Sequence, residues 1–95
     1  MEYIGKPYKD TIIHYKNSDF FMRTFDEWIE SSELIWHKDR RHRLVKVLEG
    51  EGWQIQFENN LPFLLEKDKE FIIPKEVYHR LIKGRTELTL GIKEL

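Results

Sequence analysis

The sequence predicts an all-β domain, an antiparallel sandwich or barrel, on three observations. Strand-favouring residues come in short runs, and turn-forming residues separate those runs. The clearest run, Trp53-Gln54-Ile55-Gln56-Phe57, alternates apolar and polar residues with period two. No Gly-, Ser- or Pro-rich linker, repeat or low-complexity tract divides the 95 residues, so they read as one domain.

Taken in order, Thr11-Ile12-Ile13-His14-Tyr15 reads as the first strand, and Asn17-Ser18-Asp19 as the turn that ends it. Phe20 through Phe25 starts a second, and Glu33 to His37 a short third after an acidic stretch. Between them, Phe25, Trp28, Ile29 and Ser32 also fit one face of a short helix, with Ser31 or Ser32 as a cap. Strand and loop is the preferred reading there. Arg43 to Leu48 is a strand, and Glu49-Gly50-Glu51-Gly52 turns the chain into Trp53–Phe57. Asn59-Asn60 suits a tight hairpin because asparagine tolerates positive φ. Leu61 to Leu65, a charged turn at Lys67-Asp68-Lys69, and Glu70 to Ile73 stopped by Pro74 come next. Val77 to Ile82 and Glu87 to Ile92, joined by a turn at Gly84-Arg85, complete the set.

Composition excludes several classes of function. Sixteen basic residues against 17 acidic ones give a net charge of −1, which offers no footprint for nucleic acid or an anionic membrane. The absence of cysteine excludes disulfides, thiolate metal ligands and cysteine nucleophiles. No apolar run approaches the ~20 residues of a membrane span. The start, MEYIGKPYKD, has no apolar signal core, so a cytoplasmic location is expected. The serines have no His–Asp pairing that would suggest a hydrolase triad.

Two segments carry a family resemblance: WHKDRRHRLVKVLEGEGW, Trp36 to Trp53, and LEKDKEFIIPKEVYHRLIKG, Leu65 to Gly84. Their order and spacing resemble the two motifs of the cupin superfamily. The first of these is a His-x-His pair, a Glu four positions on and a Val-Leu-Glu-Gly-x-Gly turn. The second is a Gly-Asp turn, an Ile-Pro and a His five residues past the proline. Anchored on Val47-Leu48-Glu49-Gly50, the alignment puts His37 on the first His position, Asp39 on the second and Arg43 on the Glu position. Pro74 and His79 fall at the spacing of the second motif, while Asp68-Lys69 replaces its Gly-Asp turn. The resemblance implies a jelly-roll barrel (a double-stranded β-helix) with N-terminal strands in 1–33, the motif core in 34–84 and a closing strand in 85–95.

Residues 37 and 39 lie two apart, so on a strand they point the same way. Period two also puts Arg43, Val45 and Val47 on one face of their strand, and groups His79 with Val77 and Leu81. In the topology that the resemblance implies, His37, Asp39, Arg43 and His79 meet inside the barrel mouth. Three readings follow. His37, Asp39 and His79 bind a divalent metal such as iron, manganese, nickel or zinc, with Arg43 presenting a planar fork to an anionic substrate. Alternatively Arg43 pairs with Asp39 and the pocket takes a small polar ligand without metal. In the third, WHKDRRHR is a solvated charged edge.

The flanking residues carry less. His14 reads as a packing or surface histidine, His42 as exposed, and Tyr78 and Arg80 as pointing away from His79. Trp36, Trp53 and Phe57 read as core rather than ligand-stacking groups. Gln54 and Gln56 line the pocket only if the interior lies on their side of the strand. The functional expectation is a metal-binding small cupin acting on a small polar or anionic molecule, as an oxygenase- or isomerase-like enzyme. The alternative is a metal-free binding or sensor domain. Phe20, Phe21, Phe25, Trp28 and Ile29 exceed what one barrel needs to bury, so a homodimer through the N-terminal strands is expected.

Overall fold

A computed structural model describes residues 7–13 and 20–95, and every regular element in them except one 3₁₀ turn is a strand. The strands are β1 (Lys9–Ile13), β2 (Phe20–Phe25), β3 (Arg43–Glu49) and β4 (Gln54–Phe57). They continue as β5 (Phe63–Leu64), β6 (Glu70–Ile73), β7 (His79–Ile82) and β8 (Leu88–Glu94). All pair antiparallel, in a five-stranded sheet of order β1-β2-β8-β3-β6 and a three-stranded sheet of order β5-β4-β7. The expected jelly-roll architecture is the one found.

Alternation decides which faces meet. On β3, Val45 and Val47 are fully buried, and across the ladder they face Ile92 and Leu90 of β8. Ile55 of β4 supplies the opposing wall, with Leu81 of β7 beside it in register. Gln54 and Gln56 therefore lie on the outer face, where Gln56 accepts hydrogen bonds from Arg80 at 2.9 and 3.0 Å. Trp53 is fully buried, and its indole N–H donates to the Thr86 carbonyl at 2.7 Å, so its polar atom is satisfied. Gly84 passes so close to Trp53 and the Glu51 carbonyl that a Cβ there has no room. Asn59 and Asp68 adopt positive φ, 61° and 71°, in the two turns expected of them.

Several expectations need correction. Glu33 to His37 is not a strand: residues Ser31–Glu33 form the 3₁₀ turn, and only His37 makes a ladder contact. The turn begins at Glu30 rather than at a serine cap, and the Glu33 carboxylate accepts the Glu30 N–H at 3.2 Å. Leu61–Leu65 pairs only at Phe63–Leu64, and β7 begins at His79 rather than Val77. Trp36 is exposed, with the Arg80 guanidinium 4.9 Å from its ring centre. The apolar surplus near the N-terminus is mostly internal, since Phe25 and Ile29 are buried and Phe21 packs on the core, leaving Trp28 at 79% exposure. His14, Tyr15 and the Asn17–Asp19 turn lie outside the described residues.

Candidate metal centre

The residues from Trp36 to Asp39 run as an extended arm held at two points. His37 and His79 exchange backbone hydrogen bonds, N–H to O=C at 3.0 Å and 2.8 Å, making one antiparallel bridge at the start of β7. Two residues on, the Asp39 carbonyl accepts the Glu76 N–H at 2.7 Å, and Glu76 turns with a φ of 61°. The bridge sets the imidazoles side by side, with ring centres 4.3 Å apart. Because Asp39 follows by two, its carboxylate projects on the same side as His37. Arg43 enters from β3, on the face shared with Val45 and Val47.

Both histidines are oriented by their own backbone. His79 Nδ1 lies 2.9 Å from the Val77 carbonyl and His37 Nδ1 lies 3.1 Å from the Ile35 carbonyl. A carbonyl only accepts, so each Nδ1 carries a proton, which in the neutral imidazole leaves the lone pair on Nε2. His79 Nε2 faces Asp39 Oδ2 at 3.4 Å, and ligand atoms of His37, Asp39 and His79 all lie within 4.8 Å of one another. Asp39 Oδ2 is buried and accepts no hydrogen bond among the described residues. Arg43 approaches the same carboxylate at 3.4 Å and Glu94 at 3.8 Å, while its Nε is buried without a partner among the described residues.

His79 is 3% exposed, and burial lowers its pKa from the ordinary 6.5 because the interior disfavours the imidazolium. The Val77 carbonyl opposes this shift; the charges of His37 and Arg43 add to it, and Asp39 opposes it. Near neutral pH His79 is therefore a neutral imidazole with a free lone pair, the form a metal takes.

The centre opens into a cavity of about 550 Å³ between the sheets, walled by Phe25, Ile55, Phe71, Leu81, Leu90 and Ile92. All four pocket residues expected from sequence line it. His42 is exposed and Tyr78 lies outside the cavity lining, as expected. Two contributors were missed. Arg23 lines the same cavity, and the alternation Phe21-x-Arg23-x-Phe25 was the available signal that it turns inward. Glu94, the second counter-ion of Arg43, stands opposite it across β3 and β8, a pairing no local pattern announces.

No protein-family model matches the chain, and no curated protein matches it. Solved structures do. An RmlC-like cupin from Shewanella frigidimarina is 21% identical, with 98% of this chain and 79% of that one covered and a TM-score of 0.71. KdgF from Halomonas sp. is 14% identical over 98% of this chain and 84% of that one, with a TM-score of 0.68. The cobalt(II) form of HppE in complex with Tris gives a TM-score of 0.72 at 13% identity; all of this chain matches 57% of that one. Likeness at these identities speaks to fold. The chain has the small cupin fold.

Proposed function

From the cupin fold and the geometry of its mouth, we propose that the protein binds one divalent metal ion through His37 Nε2, His79 Nε2 and the Asp39 carboxylate. Beside that ion it binds a small anionic molecule through Arg43. Iron, manganese, nickel and zinc all accept two imidazoles and a carboxylate. The carrying observation is the buried, unbonded Asp39 Oδ2 facing a neutral His79 Nε2 at 3.4 Å. A buried carboxylate oxygen without a hydrogen bond is costly, and a cation would remove that cost. The spacing also fits: two ligands ~2.0–2.2 Å from a tetrahedral ion lie roughly 3.3–3.6 Å apart.

The chain's own residues have distinct tasks in this reading. The Val77 and Ile35 carbonyls fix the tautomers, so neither imidazole must rotate to present Nε2. The largely apolar cavity walls lower the local dielectric and strengthen charge interactions at its mouth. Arg43 neutralises Asp39 when the site is empty and offers its fork to an incoming anion. A divalent ion held here would supply Lewis acidity toward a substrate oxygen for isomerase-type chemistry, and a redox-active one such as iron would supply the electrons that oxygenase-type chemistry needs.

One observation favours a second reading. The guanidinium of Arg43 already stands 3.4 Å from Asp39, so the pocket has a cation of its own and suits a metal-free binding or sensor domain. Cobalt(II) titration of metal-free protein, followed by visible absorption, separates the two. The metal reading expects one saturable site that His37→Ala and Asp39→Asn abolish; no spectral change in wild type removes it. A second copy of the chain belongs, in this proposal, on β1, one of the two end strands of the larger sheet among the described residues, where Ile12 is exposed.

A further inference from the structure

The two arginines in the cavity differ in how much of their hydrogen-bonding capacity is already used. Arg23 donates through Nε and Nη2 to the two oxygens of Asp10, at 2.9 and 3.1 Å, and its guanidinium lies 3.6 Å from the Tyr8 ring centre. That bidentate pair compensates the charge of Arg23 and occupies its Nε–Nη2 edge. Arg43 has two loose ion pairs, at 3.4 and 3.8 Å, and a buried Nε with no acceptor. The anion-accepting capacity of the cavity is therefore concentrated at one end, beside Asp39 and His79.

Away from that end most of the described wall is hydrocarbon and aromatic, from Phe25, Ile55, Phe71, Leu81, Leu90 and Ile92, with Tyr8, Ser32 and the Asp10-paired Arg23 as its polar members. At the mouth Leu34 and Ile35 extend the apolar surface, and Ile35 is 66% exposed. Glu33, also at the mouth, is engaged with the Glu30 N–H. A ligand rich in hydroxyl groups would bury without partners those that meet the hydrocarbon, at a cost for each one. A dianion such as phosphate would meet about twice the repulsion that a monoanion meets from the carboxylates of Asp39 and Glu94, both already beside Arg43.

We infer that the cavity selects an amphipathic monoanion: one carboxylate, held by Arg43 at the polar end, on a hydrocarbon body that lies along the apolar wall between the sheets. The inference rests on Arg43 as the anion contact proposed above and adds the chemical class of what it holds. Binding strength is then set by the length of the apolar body, and specificity against sugars and phosphates by the hydrocarbon that makes up most of the described wall.

Calorimetric titration with butyrate, hexanoate and octanoate, beside hexan-1-ol, gluconate and inorganic phosphate, tests this on the wild-type protein. Affinity should rise about fourfold per added methylene, the factor that burying one CH₂ gives. Hexan-1-ol should bind at least about tenfold more weakly than hexanoate, and Arg43→Met should erase that difference, since a neutral thioether cannot pair with a carboxylate. A flat response along the series overturns the inference, as does gluconate or phosphate binding more tightly than octanoate. Metal content measured on the same samples keeps the claims apart. Chain-length dependence in metal-free protein supports this inference and removes the metal reading, while a filled metal site with a flat series does the reverse.

Discussion

Replacing Arg43 by methionine removes the cation 3.4 Å from Asp39 while keeping a flexible apolar stem on the inner face of β3. At that distance the gross attraction is about 5 kcal/mol for an effective dielectric constant of 20. Removing one partner of a fully buried pair typically costs about 3–5 kcal/mol. Here the side chains retain 16% and 11% of their exposure, and the contact is long for a hydrogen bond, so the net cost should be about 2 kcal/mol. The second contact, to the more exposed Glu94 at 3.8 Å, adds only about 0–0.5 kcal/mol. For a domain of this size the loss corresponds to a Tm lower by roughly 8–16 °C in chelator-treated protein. Thermal unfolding in chelator and then in excess zinc provides the assay. An ion at His37, Asp39 and His79 gives Asp39 a replacement cation, so zinc should raise the Tm of Arg43→Met more than that of wild type. Two results would refute the reasoning: a chelated variant within about 0.5 kcal/mol of wild type, or equal zinc-induced shifts in both proteins.

Two further predictions concern pH and assembly. Burial lowers the folded pKa of His79 below its ordinary 6.5, so in the acid range the unfolded chain binds more protons. Metal-free protein should lose stability as pH falls from 6.5 to that lowered value, below which the His79 contribution is constant, with a shallower loss in His79→Gln over the same interval; identical profiles there would contradict the assignment. Light scattering at micromolar concentration should give the mass of two chains, and an Ile12→Lys change on the exposed edge should shift it toward one. A monomeric wild type removes the dimer.

What sequence could reveal about the fold follows from which contacts are local. The β3–β4 region was legible because Val45, Val47 and Ile55 each occupy a buried face, and period two marks such faces directly. The turns at Asn59 and Asp68 were legible because few residues other than glycine tolerate positive φ. Glu33 to His37 was misread because its apolar residues, Leu34 and Ile35, line a cavity mouth without pairing into a sheet. The arm is straightened by the single bridge to His79 and the Glu76–Asp39 hydrogen bond, both of long sequence separation.

The same distinction divides the site. His37, Asp39, Arg43 and His79 were found from motif spacing, and all four line one cavity. Glu94 was invisible because it reaches Arg43 only through the β3–β8 register. Arg23 was overlooked, although Phe21 and Phe25 two positions to either side already turned it inward. The orphaned oxygen of Asp39 lies on a level that sequence does not reach: it depends on which donors fail to arrive once the fold is complete.

The central claim is that His37, Asp39 and His79 hold a metal ion, and metal content of the purified protein tests it most directly. The protein would be prepared without a histidine tag or chelator, wild type beside His79→Ala and His37→Ala, with circular dichroism confirming that each remains folded. His37 is exposed, so its variant tests ligation with little penalty to the core. The account predicts close to one divalent ion per wild-type chain and its loss from both variants. Substoichiometric metal in wild type and variants alike would contradict it and leave the metal-free pocket, with Arg43 as the cation of Asp39, in its place.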